Sequence, residues 1–129
     1  MATLLIVDDD PGSRMILKAI LANLGYDTVE AADGFAAINL YRQHLPDLVL
    51  LDMIMPEKDG FETLTDLRTL NRDAGIIMMT GSRITTDLSE QLARSLRIPQ
   101  VLTKPFAAGL VAKVVAEALG GRASGRGGR

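Results

Sequence analysis

The chain contains no cysteine and only one histidine. Without cysteine it can form no disulfide, no thiolate metal site and no cysteine nucleophile, and this composition is typical of an intracellular protein. His44, the single histidine, falls near the end of a predicted helix that points away from the polar residues described below. We therefore expect it to be exposed and to act neither as a phosphodonor nor as a ligand.

Long apolar runs are also missing. Residues 1–7 are apolar but lack a basic flank, and the run ends at Asp8. It is therefore too short to span a bilayer and does not resemble a signal peptide. The 14 basic and 16 acidic residues give a net charge of −2, which provides no global field to attract nucleic acid or a membrane. These features predict a cytoplasmic protein that binds neither.

The composition changes only at the C-terminus. Residues 120–129 are rich in glycine and arginine and have almost nothing to bury, which predicts a disordered tail. We expect the three arginines of this tail to be solvated rather than bound to nucleic acid. The hydrophobic content of 47% is sufficient for one domain with its own core, which we assign to residues 1–119.

Five apolar segments of strand type alternate with five helical patterns. The strand segments lack polar alternation, as expected for strands that are covered on both faces. This alternation predicts an α/β fold, a flavodoxin-like doubly wound parallel sheet with strand order 2-1-3-4-5 and five helices. A barrel would need eight such units. The predicted strands are 3–7, 27–31, 47–51, 75–80 and 99–103; the predicted helices begin at Asp10–Pro11, at Asp33–Gly34, after Gly60, at Thr85 or Thr86, and at about Phe106, the last ending at Leu119.

Apolar residues at helical spacing predict which helix faces point to the core. Asp10 is expected to cap the first helix, with Pro11 at its first position. The predicted apolar positions are Met15, Ile16, Ala19, Ile20 and Leu24 in the first helix; Ala36, Ala37, Leu40 and Tyr41 in the second; Phe61, Leu64, Leu67 and Leu70 in the third; Leu88, Leu92, Ala93 and Leu96 in the fourth; and Leu110, Val111, Val114 and Val115 in the fifth.

Polar residues stand where the predicted strands end. Asp8 and Asp9 follow the first strand, Asp52 follows the third, Thr80 ends the fourth and Lys104 follows the fifth. In a doubly wound sheet, ligands bind beyond the carboxyl ends of the strands, near the point where the strand order reverses. The pattern predicts one small site with three carboxylates, a hydroxyl and an ammonium. The aspartates could instead form only an acidic helix N-terminus, which the macrodipole favours.

Three carboxylates in one small site would repel one another. At a separation of about 4 Å and an effective dielectric constant near 20, each pair costs on the order of 4 kcal/mol, so a proton or a cation should be bound there. Oxygen ligands without imidazole or thiolate favour Mg²⁺, or Mn²⁺, over zinc. With the ion bound, Asp52 could attack a phosphoryl donor and form an acyl phosphate. Lys104 and Thr80 would contact the phosphoryl oxygens.

Several short motifs at the strand ends follow one another in a fixed order. They are Val7-Asp8-Asp9-Asp10, Leu51-Asp52-Met53, Met55-Pro56, Asp59-Gly60, Met79-Thr80 and Thr103-Lys104-Pro105-Phe106. In this order and at this spacing they resemble the receiver domain of two-component response regulators. The resemblance extends from residue 3 to about residue 119, and no second domain is visible, so the resemblance is to the stand-alone type.

The resemblance implies a role for each site residue. Asp52 would accept a phosphoryl group from a histidine kinase or a phosphotransfer protein, and would lose it again by slow self-dephosphorylation. Asp9 would bind the metal directly, Asp8 mostly through water, and Ile54 through its backbone carbonyl.

The resemblance also assigns the remaining polar residues. Thr80 would swing towards the phosphoryl group, and Lys104 would pair with that group. The peptide bond between Lys104 and Pro105 would be cis, a geometry that proline makes accessible.

Three departures from the family pattern bear on signalling. Val101 stands where the family has an aromatic switch residue, so the threonine–aromatic switch is incomplete. The segment 96–99, Leu-Arg-Ile-Pro, replaces a common Gly-Ala pair. Ile54 places an apolar side chain two residues after the acceptor, a position that in the family tunes attack of water on the acyl phosphate.

Three functions remain open at this point. The first is a phosphorylation switch, a monomer or weak dimer that docks an unknown downstream protein through residues 88–119. The second is a receiver-fold scaffold that signals without a full phospho-switch. The third is an aspartyl phosphatase, which is disfavoured because such enzymes need a second acid where this chain has Ile54. Nucleotide or flavin binding is disfavoured because no glycine-rich loop follows the first strand.

Overall fold

The computed structural model of the chain describes residues 2–55, 58–81 and 86–127, with the backbone alone at 86 and 121–127. Strands and helices alternate throughout these residues. The elements are β1 Thr3–Val7, α1 Pro11–Asn23, β2 Asp27–Ala31, α2 Gly34–His44, β3 Leu48–Asp52, α3 Gly60–Leu70, β4 Ile76–Thr80, α4 Thr86–Ser95, β5 Gln100–Thr103 and α5 Ala108–Gly127.

The five strands form one parallel sheet in the order β2-β1-β3-β4-β5, which confirms the predicted topology. The register pairs Val7 with Leu51 and Asp52 with Met79. Thr80 at the end of β4 pairs with Thr103 at the end of β5. Because the strands are parallel and nearly aligned, their carboxyl ends lie at one edge of the sheet.

Two hydrophobic clusters cover the two faces of the sheet. Successive strand residues point to opposite faces, so Leu5 and Val7 lie in one cluster and Leu4 and Ile6 in the other. The helices divide in the same way. Buried residues of α2, α3 and α4 join the first cluster through Ala37, Tyr41, Leu64, Leu67 and Ala93, and those of α1 and α5 join the second through Leu17, Leu21, Val111, Val114, Val115 and Ala118.

Aspartate side chains cap the first three helices. The carboxylate of Asp10 accepts hydrogen bonds from the amides of Gly12 at 3.2 Å and Ser13 at 3.3 Å, which confirms it as the cap of α1. The Ser13 hydroxyl and the Gly12 amide hold the pKa of Asp10 below its ordinary value of 3.8. Asp33 and Asp59 cap α2 and α3 in the same way.

Some predicted core positions are wrong. Met15 and Ile16 of α1 are 68% and 53% exposed, and the buried residues of this helix are Leu17 and Leu21. Helix α1 carries apolar residues on more than one face, so helical spacing alone does not identify which face is buried. Ala19 in the middle of α1 is exposed as well. The other predicted core residues that are exposed lie mostly near helix ends: Leu24, Phe61, Leu70, Leu88 and Leu110.

Several predicted boundaries differ from the structure. Helix α5 begins at Ala108 and runs to Gly127, beyond the predicted end at Leu119, and the expected disorder of residues 120–129 stays a prediction. Helix α4 begins at Thr86; Thr85, the alternative predicted start, lies outside the described residues. Pro56 of the Met55-Pro56 motif also lies outside them. The peptide bond between Lys104 and Pro105 is cis, as the resemblance implied. Among the described residues, no helix is long and apolar enough to cross a membrane.

Candidate phosphoryl-acceptor site

Backbone hydrogen bonds between neighbouring strands continue into the residues that directly follow β1 and β5. The amide of Asp8 donates to the Ala31 carbonyl at 3.1 Å, and the amide of Lys104 donates to the Thr80 carbonyl at 2.8 Å. Asp52 is itself the last residue of β3. The polar side chains at this edge are therefore placed by the sheet rather than by free loops, which limits how far they can shift.

Three carboxylates converge at this edge. One oxygen each of Asp8, Asp9 and Asp52 lies within 4.8 Å of the other two. Asp8 is fully buried and Asp52 is 5% exposed, whereas Asp9 is open to solvent. All the side-chain atoms that could bind a metal here are carboxylate oxygens, and one side of the cluster is accessible to solvent. The residues therefore fit a magnesium ion that keeps some of its waters.

The Lys104 ammonium lies between two of these carboxylates. Its Nζ is 2.8 Å from Asp8 Oδ2 and 3.1 Å from Asp52 Oδ2. Burial by itself lowers the pKa of Lys104, but the hydrogen bond and charge of Asp8 and the charge of Asp52 raise it above its ordinary value of 10.5. Lys104 therefore stays positively charged at neutral pH and offsets part of the negative charge of the cluster.

The Asp52 carboxylate is held at both oxygens. Oδ1 accepts a hydrogen bond from the Ile54 amide at 3.0 Å, and Oδ2 accepts one from Lys104 at 3.1 Å. The pKa of Asp52 is raised from 3.8 to about 6, chiefly because the carboxylate is removed from water. The charge of Asp8 also raises the pKa, whereas the hydrogen bond from Ile54 and the charge and hydrogen bond of Lys104 lower it. Asp52 is thus mostly ionised at pH 7, as a nucleophile must be, but its charge is poorly solvated.

Thr80 carries a buried hydroxyl. The residue is 1% exposed, and Oγ1 has no hydrogen-bond partner among the described residues. Leaving a buried hydroxyl unpaired costs on the order of 1–3 kcal/mol. The structure thus places Thr80 at the same sheet edge as the carboxylates, with a donor that a bound group could use.

Two predicted residues lie at the margin of the site. Ile54 is 48% exposed and is tied to Asp52 through its amide; its role as a carbonyl ligand stays a prediction. Val101 lies in β5 opposite Met78 and packs, partly buried, against the core cluster that contains Ile98. Its side chain contributes to the core.

Sequence reasoning missed Arg14 and Glu30. The Arg14 Nη1 donates to the Asp8 carbonyl at 2.6 Å, and its Nε donates to Glu30 Oε1 at 3.3 Å. Lys18 also pairs with Glu30, at 3.5 Å. These contacts join the first turns of α1 to the ends of β1 and β2, and so brace the segment that carries Asp8. The available signal was a pair of basic residues one turn apart in the helix that follows β1.

Comparison with known proteins places the chain in a family. Residues 4–116 match the response regulator receiver domain. The chain belongs to this family. It is 33% identical to the chemotaxis protein CheY of Bacillus subtilis over 117 residues, which cover 90% of this chain and 96% of CheY. This receiver is also similar to the ycf27 protein of Porphyridium aerugineum, with 36% identity over 104 residues, 80% of this chain.

A solved structure supports the same assignment for the fold. The chemotaxis protein CheY4 of Vibrio cholerae superposes on this receiver with a TM-score of 0.82 at 26% identity, covering 92% of this chain and 98% of CheY4. The receiver spans only 42% of the length of the ycf27 protein. The predicted recognition as a response regulator receiver domain, a component of two-component signal transduction, is confirmed.

Proposed function

We propose that this receiver accepts a phosphoryl group on Asp52 from a histidine kinase or a phosphotransfer protein, and acts as a phosphorylation switch in the cytoplasm. The observation that carries the proposal is the convergence of three carboxylates with the Lys104 ammonium, which lies 2.8 Å from Asp8 and 3.1 Å from Asp52. A half-buried lysine paired with two buried acids does not contribute a large net stabilisation. A role in phosphoryl transfer explains why it is present.

The transfer forms one bond and breaks one bond. An oxygen of Asp52 attacks the phosphorus of a phosphohistidine, and the bond between phosphorus and the imidazole nitrogen breaks. The electron pair of that bond stays on the nitrogen, and Asp52 becomes an acyl phosphate. The Ile54 amide orients the carboxylate through Oδ1, which restricts the geometry of attack.

Asp8, Asp9, Asp52 and the Ile54 carbonyl would hold the magnesium ion. Bound there, Mg²⁺ would neutralise the carboxylates and the phosphoryl oxygens. Lys104 would exchange its contact with Asp52 for a phosphoryl oxygen, because its long side chain already reaches across the site. Thr80 would donate its unpaired hydroxyl to another phosphoryl oxygen.

Phosphorylation would be transmitted to a docking surface made of α4, β5 and α5, where an unknown downstream protein binds a monomer or weak dimer of the receiver. Lys104 directly follows β5, and Thr80 pairs with Thr103 of β5, so both residues adjoin this surface. A phosphoryl group would contact the Lys104 and Thr80 side chains only when both have moved towards it, and not in the arrangement they have without it. Such a difference is the physical requirement for shifting a conformational equilibrium.

Val101 favours a second candidate, a scaffold with the receiver fold that signals without a full phospho-switch. Its side chain is already packed against the core, and it has no aromatic ring that could rotate inward on phosphorylation. The phosphatase alternative gains no support, since the residue two positions after Asp52 is Ile54 and not an acid.

Labelling with acetyl phosphate tests the proposal. With Mg²⁺ present, we expect one phosphoryl group per chain, located on Asp52 by mass spectrometry and absent in Asp52→Asn. Unchanged labelling of the variant would refute the acceptor assignment. If labelling leaves the amide chemical shifts of α4 and β5 unchanged, the scaffold is supported instead. Robust turnover of a generic phosphate ester that is lost with Asp52 would support the phosphatase.

A further inference from the structure

Lys58 is a half-buried lysine that lies two residues before the start of α3. Its side chain is only 13% exposed and forms an ion pair with Asp66 Oδ2 of α3. Lysine is rarely buried to this extent unless it is paired. The position therefore calls for a specific explanation.

The Lys58 side chain also packs on the start of α2. Its Nζ lies 5.3 Å from the centre of the Phe35 ring, within the range of cation–π attraction. A Cβ added at Gly34 would come within 2.7 Å of Lys58 Cγ and Cδ, and within 2.1 Å of Thr63 Oγ1. Glycine at position 34 is therefore what allows α2 to approach the Lys58 stem, and Lys58 is held by two helices at once.

The loop between β3 and α3 orients the acceptor. The Ile54 amide donates to Asp52 Oδ1 at 3.0 Å, and the far end of the loop returns to the strand, where the Gly60 amide donates to the Met53 carbonyl at 3.2 Å. Because Met53 adjoins Ile54, a shift of Gly60 together with Lys58 would move the Ile54 amide and turn the Asp52 carboxylate. The contacts of Lys58 with α2 and α3 are therefore linked to the reacting oxygen through Gly60 and Met53.

We propose that Lys58 is a positioning residue for phosphoryl transfer. Its ion pair with Asp66 and its packing on Gly34 and Phe35 fix the loop, so that the Ile54 amide holds Asp52 in the geometry of attack. Lys58 acts through Ile54 rather than by touching the reacting atoms. The inference rests on the proposed function for the rate of transfer, but the position of the Ile54 amide can be measured without any phosphorylation.

Three substitutions separate the contributions. Lys58→Met keeps most of the stem and removes the charge, Asp66→Asn removes the partner and leaves the ammonium, and Lys58→Arg keeps a cation that can reach Asp66. We expect Lys58→Met and Asp66→Asn to accept phosphoryl from acetyl phosphate about three- to tenfold more slowly at saturating Mg²⁺, an effect of misplaced geometry. The Lys58→Arg variant should stay near the wild-type rate. The double variant with Lys58→Met and Asp66→Asn should be no slower than Lys58→Met alone, because both substitutions remove the same ion pair.

The amide of Ile54 provides the second readout. In ¹H–¹⁵N spectra recorded well below the unfolding temperature, its resonance should move in Lys58→Met and Asp66→Asn and stay in place in Lys58→Arg. Lys113→Met is the control, because it removes an exposed lysine of α5; it should alter neither readout. Asp66→Asn also tests whether Lys58 merely attracts the anionic acetyl phosphate. If it did, the Lys58 ammonium released from Asp66 would make phosphorylation faster, whereas loss of positioning makes it slower.

The possible results are distinct. A wild-type rate in Lys58→Met, or a slower rate with an unmoved Ile54 amide, would overturn the inference, as would a Lys58→Arg variant as slow as Lys58→Met. If the wild-type protein takes no label, the proposed function fails. The Ile54 resonance alone then decides whether Lys58 positions the loop.

Discussion

The Nζ of Lys104 lies 3.1 Å from Oδ2 of Asp52, so the amino group that would meet the incoming phosphoryl group is already paired with its acceptor. The same nitrogen is 2.8 Å from Asp8 Oδ2, and both acids are almost fully buried. Lys104 therefore has a structural role before any transfer occurs, because it compensates the charge of two carboxylates that are poorly exposed to water.

Replacing Lys104 should destabilise the protein more than the loss of a surface charge would. In Lys104→Met, Asp8 and Asp52 lose their cation, and we expect unfolding free energy to fall by about 2–3 kcal/mol at pH 7.5 without divalent ions, because a broken buried pair leaves an uncompensated charge. Urea denaturation measures the loss. Adding Asp8→Asn should recover part of it, while Lys18→Met, at an exposed pair, should cost less than about 1 kcal/mol. Equal losses at Lys104 and Lys18 would contradict this account.

Asp52 should make stability depend on pH in a defined window. Its pKa is about 6 in the folded protein, above its ordinary value of 3.8, so the folded state binds the proton more tightly than the unfolded state does. The stabilisation is complete below pH 3.8 and is lost as pH rises through about 6. Relative to wild type, Asp52→Asn should therefore gain about 3 kcal/mol between pH 3.5 and 7.5.

Urea unfolding of both proteins across this range, in a chelating buffer, measures the difference. Added Mg²⁺ should narrow it at pH 7.5, since a ligand that binds only the folded wild-type site stabilises that protein by mass action. A difference that stays constant with pH would mean that Asp52 is not perturbed by burial.

The contrast between Asp52 and Lys58 shows what the sequence could and could not predict. The site residues lie at or just after the carboxyl ends of strands whose order and direction are set by the alternation of elements, so their meeting at one edge follows from topology. These residues are Asp8, Asp52, Thr80 and Lys104. Lys58 meets Asp66 and Phe35 through side-chain conformations and the close approach of two helices. No sequence period encodes such contacts.

Helix α1 illustrates a different limit. Met15 and Ile16 offered an apolar stripe, yet Leu17 and Leu21 are the residues that are buried. Both stripes have helical spacing, so periodicity alone does not select between them. The choice is made by how α1 packs against the sheet beside α5, which is a property of the tertiary structure.

Arg97 should be a site where glycine stabilises the protein. It has φ of +58° at the end of α4, where the Ile98 amide donates to the Ala93 carbonyl at 2.8 Å and the Arg97 amide to the Arg94 carbonyl at 3.2 Å. This is a Schellman motif, whose left-handed position favours glycine. We expect Arg97→Gly to raise unfolding free energy by about 1 kcal/mol.

Thermal unfolding of Arg97→Gly and Arg97→Ala separates conformation from charge. The alanine variant removes the same guanidinium but keeps a Cβ in the left-handed region, so it should gain nothing. An equal gain in both variants would assign the effect to the lost charge. The Arg68 guanidinium, which donates to the Leu96 and Arg97 carbonyls, contacts only the backbone at this turn and should be retained in both.

Gly60 should tolerate no side chain. A Cβ at this position would lie 2.4 Å from Met53 Cα and 2.6 Å from the Asp52 carbonyl oxygen, and backbone atoms of a buried strand end cannot yield cheaply. Gly60→Ala should therefore cost about 2–3 kcal/mol of unfolding free energy and should displace the Ile54 amide in ¹H–¹⁵N spectra. Gly109→Ala is the control: it lies in α5 with nothing within 4 Å of the added carbon, so it should be neutral or stabilise by up to about 1 kcal/mol. Equal effects of the two substitutions would mean that the close approach of α3 to the acceptor strand is not what requires glycine at position 60.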